Sequence, residues 1–202
     1  MRVGVLASGA GTNLQALIDR VHGRNTVELV AVGSDRPDAH ALERARGAGI
    51  PARAFPEDGS TDRGGRDAAM AGWLRDGGVE LVVLAGYMRL LSPDFLSAFP
   101  QRVVNVHPAL LPAFPGVRAI EQALAYGVKV FGVTVHYVDE GVDSGPIIAQ
   151  RAVELPDATQ ATQVHDALRP LEHELLCSAV LAFARGGVSI DGADGRRVRV
   201  SA

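Results

Sequence analysis

The chain has 202 residues, a formal net charge of −3 and a single cysteine, Cys177. We expect one domain with a full hydrophobic core, because 47% hydrophobic and 21% charged residues are ordinary for a soluble globular protein. The small negative charge gives no general attraction to nucleic acid or to anionic membranes, and no apolar run is long enough to span a bilayer. A lone cysteine excludes an intramolecular disulfide and a CxxC metal site. These features predict a cytoplasmic protein without a signal peptide.

Strand-like and helical patterns alternate through the first half of the chain. The expected strands lie at 2–7, 27–32, 52–55, 80–86 and 102–106, and the expected helices at 12–21, 39–48 and 66–75. The run at 80–86 is continuously apolar, as is typical of a central parallel strand that is covered on both faces. This alternation predicts an α/β fold: a doubly wound, mostly parallel, Rossmann-like central sheet with helices on both faces.

The second half of the chain has a different pattern. Two long strands are expected at 130–138 and 147–155, and the short connection between them favours antiparallel pairing. An amphipathic helix is expected over 159–185, with Pro170 kinking or restarting it. A terminal hairpin is expected from 188–190 and 198–200, although we assign no function to the segment 191–202. The whole chain, 1–202, is therefore expected to be one domain.

A glycine-rich loop, Ser8–Asn13, follows the first strand and opens the first helix. Its glycines let the backbone approach an anion, and the amino end of the helix offers unpaired N–H groups. The side chains of Thr12 and Asn13 add donors. The loop is neither a Walker A motif nor a full GxGxxG pattern, because Leu14 stands where the last glycine would be. We expect it to bind one phosphate, and a purely structural glycine turn is the alternative.

Asn105 and His107 stand two residues apart at the end of an expected strand, and Pro108 follows them. Residues with this spacing project from the same face of a strand, here at the carboxyl end where α/β sheets bind ligands. Asp143 lies in a turn-rich loop, Gly141–Pro146. An amide, an imidazole and a carboxylate together can stabilise an oxyanion and move protons. Since the set contains no strong nucleophile, it favours direct group transfer, although each residue alone is also typical of ordinary packing or a turn.

Four segments carry a resemblance: SGAGTNLQ at 8–15, LAGYMRLL at 84–91, NVHPALLPAFPG at 105–116, and GVTVHYV at 132–138 leading to DSGP at 143–146. They resemble the phosphoribosylglycinamide formyltransferase family, and the likeness extends from Met1 to about Gly187. The pattern NxHPxLLPxFxG is shared by folate-dependent formyltransferases, so it points to the chemistry. The first segment points to the nucleotide substrate. Ala109 departs from the family pattern, in which serine is commoner.

The resemblance implies formyl transfer from the co-substrate 10-formyltetrahydrofolate to the amine of glycinamide ribonucleotide, a step of purine biosynthesis that needs no metal. It implies a nucleotide-binding half at about 1–100 and a folate-binding and catalytic half at about 101–202. Gly11, Thr12 and Asn13 match the positions that bind the nucleotide phosphate, and Glu172 matches a ribose contact that Pro170 makes less secure. The folate contacts implied in the same way are Arg63, Met88, Arg89, Leu90, Leu91, Asn105, Asp139, Glu140, Gly141, Val142 and Asp143. The implied partners are small molecules, with neither nucleic acid nor membrane, and the protein is expected to be a monomer or a homodimer.

The expected chemistry gives each residue of the trio a role. Attack of the neutral amine on the formyl carbon creates an oxyanion, to which the Asn105 amide and a protonated His107 both donate. Each such donor contributes on the order of 3 kcal/mol. Asp143 is expected to favour the protonated imidazole by its charge and to accept the proton of the amine through water. His136 either orients Asp143 or is a packed strand residue, and the second interpretation is favoured. The Leu111–Pro112 bond is a candidate cis peptide.

Other functions remain open from the sequence. A formyltetrahydrofolate hydrolase would use water as the acceptor, but such enzymes carry an additional amino-terminal domain, whereas here the catalytic domain is expected to begin at Met1. A formyltransferase acting on methionyl-tRNA would carry a further carboxyl-terminal domain and a basic surface, and one acting on a sugar amine would share the same motif. A non-catalytic folate- or nucleotide-binding protein would not require Asn105, His107 and Asp143 together.

Overall fold

A computed structural model describes residues 1–57, 62–191 and 195–201. The strands are β1 (Arg2–Leu6), β2 (Glu28–Ser34), β3 (Ala52–Ala54), β4 (Leu81–Leu84), β5 (Val103–His107), β6 (Val130–Tyr137), β7 (Ile147–Glu154), β8 (Val188–Asp191) and β9 (Arg197–Val200). The helices are α1 (Thr12–Arg20), α2 (His40–Gly47), α3 (Arg63–Asp76), α4 (Pro93–Ala98), α5 (Ala119–Tyr126) and α6 (Ala161–Ala184). In these ranges, no helix is both long enough and apolar enough to cross a membrane.

Seven strands form one sheet in the order β3-β2-β1-β4-β5-β6-β7. β1 pairs in parallel with β2 and β4, β2 with β3, and β4 with β5. β6 and β7 pair antiparallel, and β8 and β9 form a separate antiparallel hairpin. The prediction of an α/β fold with a mostly parallel sheet is therefore confirmed, as are the antiparallel pair and the terminal hairpin.

The chain divides into two compact units, Met1–Asn105 and Val106–Ala202, and the division falls within β5. In the first unit all four residues of β4 are buried, as its continuous apolar sequence predicts for a parallel strand. In the second unit the apolar face of α6 packs on β6, and the rings of Tyr137 and Phe183 meet edge to face with their centroids 5.7 Å apart. Burying one large apolar side chain contributes about 1.5–3 kcal/mol, so these faces decide where each helix lies.

Three helices differ from the prediction. α4 has six residues and begins after Ser92, whose Oγ accepts the Phe95 N–H, and α5 follows Arg118 in a left-handed conformation without a side-chain cap. Neither helix was predicted. α4 is too short to show the helical period of apolar residues, and α5 lacks a capping residue that would mark its start. α6 continues through Pro170, so the expected restart is wrong. Its apolar face is buried on both sides of that proline, and this packing outweighs the lost hydrogen bond.

Candidate active site

The glycine-rich loop lies between the end of β1 and the start of α1. Gly11 has φ 72 and precedes the helix without any side-chain cap. A Cβ at Gly11 would lie 2.8 Å from the Cα of Ala41, so no larger residue fits there. The N–H groups of the first turn, at Thr12 and Asn13, have no acceptor within an α-helix. The loop therefore has the backbone arrangement predicted for an anion site.

The segment after β4 presents apolar side chains on a backbone that is held in place. The side chains of Met88 and Leu90 are 65% and 55% exposed, whereas Leu91 is buried. The guanidinium of Arg63, the first residue of α3, donates to the Leu91 carbonyl. Arg89 is about half exposed, with 48% of its side chain accessible. Exposed apolar groups on a constrained backbone are suited to contacting a flat apolar ring.

A buried ion pair supports the end of this segment. Asp67 Oδ1 lies 2.8 Å from the Nη2 of Arg66, and the two side chains are 0% and 1% exposed. The other carboxylate oxygen of Asp67 accepts the Ser92 N–H at 2.7 Å. Glu57 Oε1 adds a second carboxylate contact, 2.6 Å from Arg66 Nη1. The charges are thus paired and the backbone N–H is satisfied, as a buried group requires.

Asn105 and His107 occupy the last part of β5. Asn105 is half-buried and pairs with Leu84 of β4, while His107 is buried and ends the strand. Their spacing of two along a regular strand directs both side chains to one face. The predicted strand and the position of both residues on it are confirmed.

His107 has an acceptor at each ring nitrogen. Its Nδ1 lies 3.3 Å from Asp143 Oδ2, and its Nε2 lies 2.9 Å from the Phe114 carbonyl oxygen. A neutral imidazole has one N–H, so only the protonated ring donates at both positions. The two contacts therefore set the orientation of the ring from both sides.

The side chain of Asp143 is an ionised carboxylate, and several neighbouring groups fix its position. Its φ is 49, its Oδ2 accepts the Gly116 N–H at 2.7 Å, and its Oδ1 lies 3.5 Å from the Nε2 of His136. Burial raises the pKa of Asp143, but the His136 hydrogen bond, the Gly116 N–H and the charge of His107 outweigh burial and lower the pKa to about 2. Asp143 is thus charged at neutral pH.

His136 is a buried residue of β6, as the favoured interpretation expected, and it also contacts Asp143, as the alternative expected. The side chain is 2% exposed on β6, and its Nδ1 lies 2.7 Å from the Tyr137 carbonyl oxygen. The signal in the sequence was a histidine in a strand of otherwise small and apolar residues. A buried polar ring there requires partners, and the Asp143 loop supplies one.

The sequence analysis also missed two polar residues that hold the segment after His107. Thr134 Oγ1 donates to the Ala109 carbonyl at 2.7 Å and accepts the Leu111 N–H at 3.1 Å. Gln150 Nε2 donates to the Leu111 carbonyl at 2.9 Å. The signal for Thr134 in the sequence was a hydroxyl on a strand whose other side chains are almost all apolar.

The Leu111–Pro112 peptide is cis, which confirms that expectation.

Asp139 makes hydrogen bonds within the loop 139–145, whereas Asp143 in the same loop is held by groups outside it. Asp139 Oδ1 accepts the Gly141 N–H at 3.1 Å and the Ser144 hydroxyl at 2.7 Å. A Cβ at Gly145 would lie 1.8 Å from the Tyr137 carbonyl oxygen, so only glycine allows this approach. Arg196, in the carboxyl-terminal segment, donates to the Ser144 carbonyl at 2.6 Å. The segment for which the sequence suggested no role therefore contacts this loop.

The predicted binding residues are divided between the two units. Gly11, Thr12 and Asn13, together with Arg63 and the segment 88–91, belong to the first unit. The loop 139–143 belongs to the second unit, and so does the half-buried Glu172 on α6, two residues after Pro170. Within residues 1–57, 62–191 and 195–201, no cluster of three His, Cys, Asp or Glu side chains is arranged to hold a metal ion.

Comparisons with known proteins show the family to which the chain belongs. A family described as formyl transferase matches residues 1–180. The chain is 43% identical to the phosphoribosylglycinamide formyltransferase of Mycobacterium tuberculosis over 98% of the chain and 94% of that relative. It is 41% identical to the Bacillus subtilis protein of the same name, over 87% of the chain and 91% of that relative.

A solved structure shows the same fold. The crystal structure of glycinamide ribonucleotide transformylase 1 from Symbiobacterium toebii matches with a TM-score of 0.94 and 48% identity. The match covers 99% of this chain and 93% of that one. The chain belongs to the formyl transferase family, within which its relatives are phosphoribosylglycinamide formyltransferases.

Proposed function

We propose that the protein transfers the formyl group of 10-formyltetrahydrofolate to the amine of glycinamide ribonucleotide, in the cytoplasm and as a step of purine biosynthesis. The observation that carries this proposal is the His107–Asp143 pair, with Nδ1 and Oδ2 3.3 Å apart, beside an amide at Asn105. The family and the names of its relatives support the choice of substrates. No residue of this set is a strong nucleophile, which supports direct attack of the amine on the formyl carbon.

In the proposed reaction Asn105 and His107 stabilise the tetrahedral intermediate. The Asn105 amide and the imidazolium N–H donate to the oxygen that becomes negative, each contributing about 3 kcal/mol. The His107 Nε2 contacts the Phe114 carbonyl oxygen, so the substrate oxygen takes over this donor when it binds. The carbon–nitrogen bond to folate N10 then breaks, and a proton reaches N10 as tetrahydrofolate leaves.

The main role proposed for Asp143 is electrostatic. Its carboxylate stabilises the positive charge of His107 through the 3.3 Å contact. A pKa of about 2 makes Asp143 a weak base, so we propose that the proton of the amine moves through water along this carboxylate and does not rest on it. His136 and the Gly116 N–H position the carboxylate for this role.

The two substrates are proposed to bind through residues from several parts of the chain. We propose that Gly11, Thr12 and Asn13 bind the nucleotide phosphate and that Glu172 contacts its ribose. We propose that folate is contacted by Asn105 and by the residues of three further stretches: Arg63, Met88–Leu91 and Asp139–Asp143. The exposed apolar side chains of Met88 and Leu90 support an apolar slot for the pterin ring.

The proposal is tested by measuring formyl transfer from 10-formyltetrahydrofolate with and without glycinamide ribonucleotide. Tetrahydrofolate released only with the nucleotide, together with formylated nucleotide, is the expected result. Equal release without the nucleotide would make water the acceptor and the protein a hydrolase. The variant His107→Ala should lose turnover while it still binds tetrahydrofolate, and His165→Ala, an exposed histidine on α6, is the matched control.

A further inference from the structure

Asp35 is a buried carboxylate to which the sequence analysis assigned no role. It follows β2, and its side chain is 4% exposed. Its Oδ1 accepts a hydrogen bond from the Ser8 hydroxyl at 2.5 Å, and its Oδ2 lies 3.1 Å from the Nε of Arg89. The two oxygens of one carboxylate therefore contact the glycine-rich loop and the segment after β4.

Ser8 extends this contact to the backbone of the same segment. The Ser8 hydroxyl accepts the Met88 N–H at 2.9 Å while it donates to Asp35, and the Ser8 N–H donates to the Gly86 carbonyl at 3.1 Å. β1 and β4 are parallel neighbours, so the loops that follow them emerge at the same edge of the sheet. The backbone from Gly86 to Met88 is thereby tied to the first residue of the glycine-rich loop.

Arg89 is paired on a second side as well. Its Nη1 lies 3.6 Å from Glu57 Oε2, and Glu57 also contacts the buried Arg66. Two carboxylates, those of Asp35 and Glu57, therefore surround the one guanidinium of Arg89. Pairing of this kind fixes the course of the backbone that carries the guanidinium.

We propose that Asp35 is a positioning residue that joins the loop assigned to the nucleotide phosphate to the segment assigned to the pterin. This inference rests on the proposed function. Asp35 holds Met88 through Ser8 and holds Arg89 directly, so it sets the apolar slot before folate arrives. Movement of the glycine-rich loop on nucleotide binding is transmitted to the slot through the same contacts, so nucleotide and folate tighten each other's binding.

The first test is Asp35→Asn. Its amide oxygen still accepts from Ser8, but its NH₂ group faces the Arg89 N–H, so the link to Arg89 is broken. We expect KM for 10-formyltetrahydrofolate and Kd for tetrahydrofolate to rise about ten-fold, with kcat changed less than about two-fold. The matched control is Asp38→Asn, in the same loop, where an exposed aspartate pairs with the exposed Arg36.

A double-mutant cycle separates positioning from general loss of structure. In an Arg89→Met background, Asp35→Asn should raise the folate Kd by less than about two-fold, because its partner is already gone. Ser8→Ala removes the relay without changing any charge and should raise the folate Kd about three- to ten-fold. It should also abolish the increase in tetrahydrofolate affinity that saturating glycinamide ribonucleotide produces in the wild type.

The inference is overturned if Asp35→Asn binds tetrahydrofolate as Asp38→Asn does, or if the effects of Asp35→Asn and Arg89→Met simply add. A fall in kcat with unchanged folate KM would also overturn it. Failure of the proposed function looks different, because wild-type protein would then transfer no formyl group to the nucleotide, whereas the tetrahydrofolate affinities of the variants would still test the role of Asp35.

Discussion

The segment 88–92 and the loop 139–145 are assigned to the same ligand, but they are held in different ways. Side chains from elsewhere in the fold bind the backbone of the segment 88–92: Ser8 contacts Met88, Arg63 contacts Leu91, and the fully buried Asp67 contacts Ser92. In the loop 139–145, the side chain of Asp139 contacts Gly141 and Ser144, and Arg196 adds one exposed hydrogen bond to Ser144. The side chain of Asp143, at the other end of this loop, is held by His107, His136 and the Gly116 N–H.

This difference separates a preformed surface from a movable one. Buried, fully satisfied polar networks hold one conformation firmly, because breaking any member leaves a desolvated group unpaired. Exposed contacts within a short loop cost little to break, so such loops open at low free energy. We therefore expect the segment 88–92 to be in place before folate binds and the more exposed part of the loop, 139–142, to close afterwards.

The largest effect is expected from Asp143→Asn, which removes the charge at the catalytic end of the loop 139–145. The carboxylate lies 3.3 Å from the ring of His107, whose protonated form it is proposed to stabilise during the reaction, so kcat should fall about 10²–10⁴-fold in steady-state formyl transfer. Asp139→Asn in the same loop is the control and should change KM for folate more than kcat. A fall in kcat below ten-fold for Asp143→Asn would remove Asp143 from the chemistry.

The second prediction concerns a variant that removes one of the contacts anchoring the segment 88–92. Asp67→Ala leaves the buried Arg66 without its fully buried carboxylate partner, with only Glu57 remaining of the two carboxylates described above, and leaves the Ser92 N–H without an acceptor. We expect the free energy of unfolding to fall by about 3–5 kcal/mol in urea denaturation. Asp38→Ala, at an exposed pair, should change it by less than about 0.5 kcal/mol. Equal losses would mean that the buried pair does not anchor this segment.

The third prediction concerns pH. The pKa of Asp143 is lowered in the folded protein from 3.8 to about 2, so the carboxylate stabilises the fold above its unfolded pKa and loses this contribution as the pH falls through 2. The shift corresponds to about 2 kcal/mol. In urea denaturation, the free energy of unfolding of the wild type should exceed that of Asp143→Asn by about this amount at pH 6, and most of the difference should be lost by pH 2, where about half of the native carboxylate is protonated. A difference independent of pH would contradict the low pKa.

The smallest effect is expected at the exposed contact between Arg196 and the loop 139–145. Arg196→Met removes the hydrogen bond to the Ser144 carbonyl and should raise KM for 10-formyltetrahydrofolate about two- to ten-fold. Because the loop still closes, kcat should change little. Arg197→Met, one residue further on, is the matched control. An unchanged KM in Arg196→Met would show that the carboxyl-terminal segment does not steady the loop.

Local patterns were enough to predict much of the fold. The alternation of strand and helix signals predicted β1 to β5 and α1 to α3 to within a few residues. Each of these elements buries one or both faces, so the spacing of its apolar residues along the sequence indicates whether it is a helix or a strand. The spacing of Asn105 and His107 placed both on one strand for the same reason. The apolar pattern also predicted the helix over 159–185, whereas the restart expected at Pro170 was wrong, because packing on both sides of the proline kept α6 continuous.

The sequence by itself determined the α/β class, the strand that carries Asn105 and His107, and the family resemblance. Only the tertiary structure decided which residues support those groups. His136 meets Asp143, Thr134 meets the segment after His107, and Asp35 meets Arg89. These partners are distant in the chain or follow no helical or strand period. Such contacts arise because a buried polar group must find a partner wherever the fold supplies one, and the fold is settled by apolar packing.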